Sequence, residues 1–253
     1  MDNFLKNVGS DKSADARSFY VNYWGDILSN SIHDYTFVCG KYKNYYSPDT
    51  IYSFYTLAGV IIRALSNYVK NTMPKENSER LSFILNSNDV SHEQRKIIKD
   101  FYSVWTTNAN FMPLAYGVNY GKKGASLNFE KGSNFHDLPE RFLNKVNDEY
   151  VSGFYGEVFA HPFIKQYFQK FDTLKGNAWK DYVELNYLQD LFIDDFYTRY
   201  VNMLPTNINF AWNETVLDRM SDSEKKSSIE ATFNYFEKAT RIIEKRAKRL
   251  ESL

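Results

Sequence analysis

Two clusters in this 253-residue chain carry side chains able to do chemistry. The first lies in LNFEKGSNFHDLPERF, residues 127–142, which brings Lys131, His136, Asp137 and Arg141 close together. Asp137 is placed to cap a new helix, and a helix start offers free N–H groups and a partial positive charge. Lys131 and Arg141 add cationic charge, and His136 titrates near neutrality. The corner therefore reads as an anion pocket for a phosphate or carboxylate. The competing reading is structural: Asp137 caps, Arg141 pairs with an exposed carboxylate, and Lys131 is solvated. The second cluster is LQDLFIDDFYTRY, with Asp190, Asp194 and Asp195. On a continuous helix Asp190 and Asp194 share a face, where like charges repel. Such a pair suits a divalent cation or acid–base work, so these two are the weak metal candidates. The structural alternative is a kink at Asp194 and Asp195 between two helices.

Other chemistries are disfavoured by their missing motifs. None of His33, His92, His136 and His161 sits three to five residues from another histidine or from Cys39, and no H-E-x-x-H occurs. GVNYGKKGAS is glycine-rich, but its lysines are followed by Gly124 rather than by the Ser or Thr of a phosphate loop. There is no G-x-S-x-G elbow. The arginine–histidine spacing of many compact helical ribonucleases is also absent. The lone Cys39 excludes an internal disulfide and reads as a small buried apolar residue. No catalytic residue and no cofactor emerge.

The composition sets the frame for these clusters. Thirty-one Lys and Arg balance 31 Asp and Glu, which argues against bulk binding to nucleic acid or anionic membrane. Aromatic residues reach 17%, so the core must be bulky, and many tyrosine hydroxyls must find partners at its rim. The N-terminus lacks an apolar run of the signal-peptide kind. The most apolar window, YTLAGVIIRAL, is too short to span a bilayer. A cytoplasmic protein is expected. Asn occurs 24 times and Ala 13 times, a bias of A/T-rich coding that points to a low-GC bacterium or its phage.

Periodicity places the elements that must hold the two clusters. A helix is predicted over residues 13–29, with Phe19, Tyr23 and Ile27 on one stripe. A second is predicted from Ser47 as N-cap and Pro48 as first helical residue, running through Ile51, Phe54, Ala58, Ile61, Leu65 and Tyr68. Ser91 and Gln94 form a capping box before Ile97, Phe101 and Trp105. Further helices are predicted after Asp137 and across HPFIKQYFQKF. The run from Trp179 to Leu204 is apolar nearly all round, so it is a central helix or a broken pair. Ser221 and Glu224 make a second capping box. The helix behind them carries Ile229, Phe233, Phe236, Thr240, Ile243, Ala247 and Leu250 on one face, with Lys245, Arg246, Lys248 and Arg249 complementing the dipole in its last turns. Residues 111–132 lack a helical stripe and hold four glycines, so a β-hairpin or small sheet is predicted near residues 111–130.

Three stretches in this order, YVNYWGDILS, ASLNFEKGSNFHDLPERF and FDTLKGNAWKDYVELNYLQDLF, resemble a family of uncharacterised bacterial proteins catalogued as a domain of unknown function. The resemblance spans most of residues 16–250. In that family the middle motif reads T-I-N-x-x-R-G and then D-R-F, and the last reads Y-V-x-x-x-x-L-Q-D-L. The family arginine before glycine is Lys131 here, and the acid before Arg141 is Glu140. Lysine cannot make the bidentate fork of arginine. The resemblance implies a shared fold and no activity.

The expectation is thus a mainly α chain with a small β element, α+β being the alternative. It is read as one domain with room for two lobes. Its function is expected to be non-catalytic interaction with a protein partner or with itself, in a bacterium or phage, with defence or counter-defence as one setting. The alternative is an enzyme or sensor for a phosphorylated small molecule or nucleic-acid end, at the corner of Lys131, His136 and Arg141.

Overall fold

The computed structural model describes residues 4–11, 13–29, 46–65, 73–115, 178–199, 201 and 220–252. In chain order the elements are α1 (Ala14–Ser29), β1 (Tyr46–Thr50), α2 (Phe54–Leu65), α3 (Asn77–Asn86), α4 (His92–Trp105), β2 (Phe111–Ala115), α5 (Ala178–Leu185) and α6 (Asp222–Glu251). Short 3-10 turns lie at Asn108–Asn110 and Gln189–Leu191. The fold is mainly α. No helix among the described residues is long and apolar enough to cross a membrane. The expected helices over 137–150 and 161–171 lie outside the described residues, as do Cys39, Lys131, His136, Asp137 and Arg141.

Both capping boxes form as the sequence dictates. Ser91 Oγ accepts the Gln94 N–H at 3.2 Å while Gln94 Oε1 accepts the Ser91 N–H at 2.9 Å. Ser221 and Glu224 repeat the exchange at the start of α6. Each satisfies two donors that a helix start otherwise leaves open. From its cap α6 runs 30 residues and packs on α2 and α4 through the predicted stripe, with Phe233, Phe236, Ile243, Ala247 and Leu250 all buried. Phe236 sits between Phe54, 6.0 Å away, and Phe101, 4.6 Å away. Phe101 is buried on α4 as expected, but Ile98 and Val104 join it, while Ile97 and Trp105 are only half-buried.

The expected helix start at Ser47 is wrong. Residues 46–50 form β1, antiparallel to β2, and the helix begins only at Phe54. Pro48 stands opposite Pro113 in this ladder. The Ile51 N–H donates to Asn110 O at 2.7 Å, so by alternation Pro48 and Pro113 meet at a pair where neither N–H is required. A proline that reads as a helix opener is equally at home there. The expected sheet near 111–130 does start at Phe111, where the strand pairs with one some sixty residues upstream; the rest of that stretch, residues 116–130, lies outside the described residues. Asn110 extends the pairing with its side chain. Its carboxamide accepts the Tyr52 N–H and donates to Tyr52 O, both at 3.0 Å, and donates to Trp105 O at 2.8 Å.

A second correction concerns Arg246. The expectation for it is only to complement the dipole in the last turns of the helix, but its side chain is fully buried. Its guanidinium donates to Ala109 O at 2.7 Å, Phe111 O at 2.8 Å, Asn186 O at 3.1 Å and Tyr187 O at 3.1 Å. Burial pulls its pKa down to about 10, still far above neutrality, so it remains a cation. The acceptors are carbonyl dipoles, two of them just past the C-terminal end of α5, where partial negative charge collects.

The end of α5 corrects a third expectation. The apolar run does break, but at Asn186 rather than at Asp194 and Asp195. The Leu188 N–H returns to Val183 O at 2.9 Å and the Tyr187 N–H to Glu184 O at 3.1 Å, which is a Schellman closure. Tyr187 occupies its left-handed position at φ 55°, where glycine is usual. The ring repays that strain by packing on Tyr23 and Trp24. Trp24 Nε1 also donates to Leu185 O at 2.9 Å, which ties α1 to the same helix end.

Candidate functional site

The structure separates the two aspartates once paired as weak metal candidates. Neither lies on a helix with the other, because α5 has already ended. Asp190 sits in the 3-10 turn and its Oδ2 accepts from Arg249 Nε at 3.1 Å and Nη2 at 3.0 Å. That ion pair pins the turn to α6. Asp194 is committed to its own loop. Among the described residues no group of three His, Cys, Asp or Glu side chains converges as a metal site would need.

The loop around Asp194 is closed by its own backbone. The Ile193 N–H donates to Arg199 O at 2.9 Å, and the Val201 N–H donates to Leu191 O at 2.8 Å. Inside this ring Asp194 Oδ1 accepts the N–H groups of Phe196 and Thr198, both at 3.0 Å, and the Thr198 hydroxyl at 3.2 Å. Its Oδ2 accepts the Arg199 N–H at 2.6 Å, with the Arg199 guanidinium 3.6 Å away. An Asx-type side chain thus replaces the backbone contacts that a tight loop cannot make for itself. The Thr198 N–H, with those of Arg199 and Phe196 and the Thr198 hydroxyl, holds the carboxyl below the ordinary aspartate pKa.

The stem is fixed as firmly. Tyr197 lies at φ 56°, its carbonyl accepting Trp179 Nε1 at 2.8 Å and its hydroxyl donating to Glu184 Oε1 at 3.2 Å. Burial, and then the Glu184 carboxylate, push that phenol's pKa up. Phe192 fills the space between the Trp179 and Tyr197 rings. Above this base two large apolar side chains face water: Ile193 is 60% exposed and Phe196 is 82% exposed. Isolated apolar residues at a surface are ordinary. Here two of them share one braced tip.

Removing the brace has a defined consequence. Asp194→Ala is expected to raise amide hydrogen exchange at Phe196, Thr198 and Arg199, while α6 amides stay protected. The pH dependence follows from the direction of the shift. A carboxylate whose folded pKa is depressed contributes stability above its unfolded pKa and loses it as pH falls through the folded value. The loop should therefore hold through neutral and mildly acidic pH and loosen only below the ordinary aspartate range. Unchanged exchange in the variant would show that the backbone ring suffices without the carboxylate.

Comparisons of the chain with protein-family models, with curated proteins and with solved structures returned no match. The reading of this site therefore rests on its own geometry. The corner of Lys131, His136 and Arg141 lies outside the described residues, so the structure places none of the three. Sequence reasoning missed Ile193 and Phe196. The available signal was IDDFYTR itself, where an aspartate precedes a Phe by two residues and a Thr by four, the spacing at which its carboxylate meets their N–H groups.

Proposed function

We propose that this chain is a non-catalytic interaction protein that docks on a protein partner through the Ile193–Phe196 tip, as expected of a bacterial or phage protein of the defence or counter-defence kind. The observation that carries this reading is the exposure of Phe196 on a loop whose backbone Asp194 has already ordered. Association costs ordering entropy wherever a loop must be fixed on binding, and a pre-ordered tip avoids that cost. Aromatic side chains inserted into a pocket are the usual centres of binding energy. The fitting partner is a protein with an apolar pocket and a polar rim that meets Asp195 and Arg199, both exposed beside the tip. A bilayer surface fits less well, because Asp195 adjoins Phe196 and would have to enter the interface with it.

The test compares wild type with Phe196→Asp as baits in extracts of the source cells. A partner retained by the wild type alone is then purified and titrated. Phe196→Asp is expected to weaken it by at least about 30-fold, the level of a hot-spot residue near 2 kcal/mol. The melting temperature should be unchanged, because Phe196 supports nothing in the fold. Equal retention by the two baits, or equal affinity in the titration, would remove the tip from the function.

A further inference from the structure

A cleft of about 320 Å³ lies between the N-terminal segment and α1, and none of its lining residues belongs to the docking tip. Its floor is aromatic. Phe4 and Phe19 are buried at its base, with ring centroids 5.9 Å apart, and the half-buried Tyr23 stands at 5.6 Å from Phe4 and 5.0 Å from Phe19. The N-terminal segment is held there by backbone bonds: the Val8 N–H donates to Thr106 O at 2.9 Å and the Ala109 N–H to Phe4 O at 3.1 Å. The volume is at the small end of the range of small-molecule sites, and the wall above the aromatic floor is mostly polar, with Lys6, Asp15, Ser18, Asn22 and Asn108.

The polar groups decide the ligand class. Lys6 and Asp15 both line the cleft, both are exposed, and neither forms an ion pair with the other or with any further residue among those described. Two opposite charges on one small cleft normally close on each other unless held apart. Here their anchor points lie on different segments, Lys6 on the N-terminal stretch and Asp15 in the first turn of α1. Ser18 and Asn22, one and two turns further along the helix, add neutral hydrogen-bonding groups to the same wall. A larger groove of about 620 Å³ runs over α3, but it is shallow, and its one charged side chain, Glu79, is committed to the capping box with Glu76.

We propose that the cleft binds a small zwitterion with an aromatic or apolar body, an α-amino acid in kind. Lys6 takes the carboxylate, Asp15 takes the ammonium, and the body lies on Phe4, Phe19 and Tyr23. The ring face of Tyr23 also attracts an ammonium. The site stands independently of the docking tip, and either can fail without the other.

The test uses the full chain and calorimetry with L-phenylalanine, 3-phenylpropionate and phenethylamine, which carry both charges, the carboxylate alone and the ammonium alone. Phenylalanine is expected to bind with a millimolar or lower Kd, and each single-charge analogue at least about 10-fold more weakly, about 1.4 kcal/mol each. Lys6→Gln should erase the preference for phenylalanine over phenethylamine. Asp15→Asn should erase the preference over 3-phenylpropionate. Both residues are exposed, so the variants are expected to keep the wild-type melting temperature in the absence of ligand. No heat from phenylalanine at millimolar concentration, or equal binding of all three compounds, would overturn the proposal. So would preferences that survive both substitutions.

Discussion

Arg246→Met is expected to cost about 3–5 kcal/mol of folding stability, because it strips the donor from four buried backbone carbonyls while also removing the guanidinium's own desolvation cost. Four carbonyls from two separate parts of the chain, Ala109 and Phe111 on one side and Asn186 and Tyr187 on the other, converge on this guanidinium. Methionine keeps most of the stem packing and removes every donor. Buried salt bridges can often be replaced by apolar residues at little loss, because both charges leave together. That escape is closed here, since the acceptors are backbone groups that no substitution removes. Each carbonyl left without a donor costs about 1–3 kcal/mol before any water enters. Arg246→Lys should recover little, because one ammonium cannot span acceptors that the planar fork divides between two segments. Urea unfolding should show a lower midpoint at an unchanged slope in both variants. A loss below about 1 kcal/mol would mean that water takes over the guanidinium's bonds.

What the sequence disclosed and what it hid divide by range. The capping boxes at Ser91 and Ser221 are local, each needing two residues three apart, and both formed as expected. The stripe on α6 is likewise a matter of spacing, and so is the mainly α class. Ser47 and Pro48 misled because their local preference for a helix start lost to a partner strand far downstream. No window around residue 48 contains that information. Arg246 is an intermediate case. It lies four residues after Ile242, three after Ile243 and four before Leu250, so spacing alone puts it on the buried face. The basic neighbours Lys245, Lys248 and Arg249 disguised it. Its four acceptors are main-chain carbonyls, which every residue carries, and so they leave no mark in a sequence. The aspartates show the same limit: once α5 closed at Asn186, the helix face that would have paired Asp190 with Asp194 did not exist.

Truncation after Met220 is expected to have the largest effect of all and to yield insoluble protein. The deleted helix is 30 residues long, about 45 Å at 1.5 Å per residue, and it is packed along most of that length. Burying Phe233, Phe236, Ile242, Ile243 and Leu250 is worth roughly 8–15 kcal/mol as an upper figure, at about 1.5–3 kcal/mol each. That matches the whole stability of a typical domain, about 5–15 kcal/mol. The loss extends beyond α6 itself. Phe54 on α2 and Phe101 on α4 would lose Phe236 from between them, and the carbonyls around Arg246 would lose their donors in the same step. The alternative use of such a face, a zipper with a second chain, is disfavoured by the packing, because the stripe is already covered by α2 and α4. The measurement is the soluble fraction of residues 1–220 after expression, followed by circular dichroism and thermal melting of whatever remains in solution. A soluble fragment that melts cooperatively would mean that α2 and α4 close on each other without α6, and the helix would then be an appendage rather than the centre of the core.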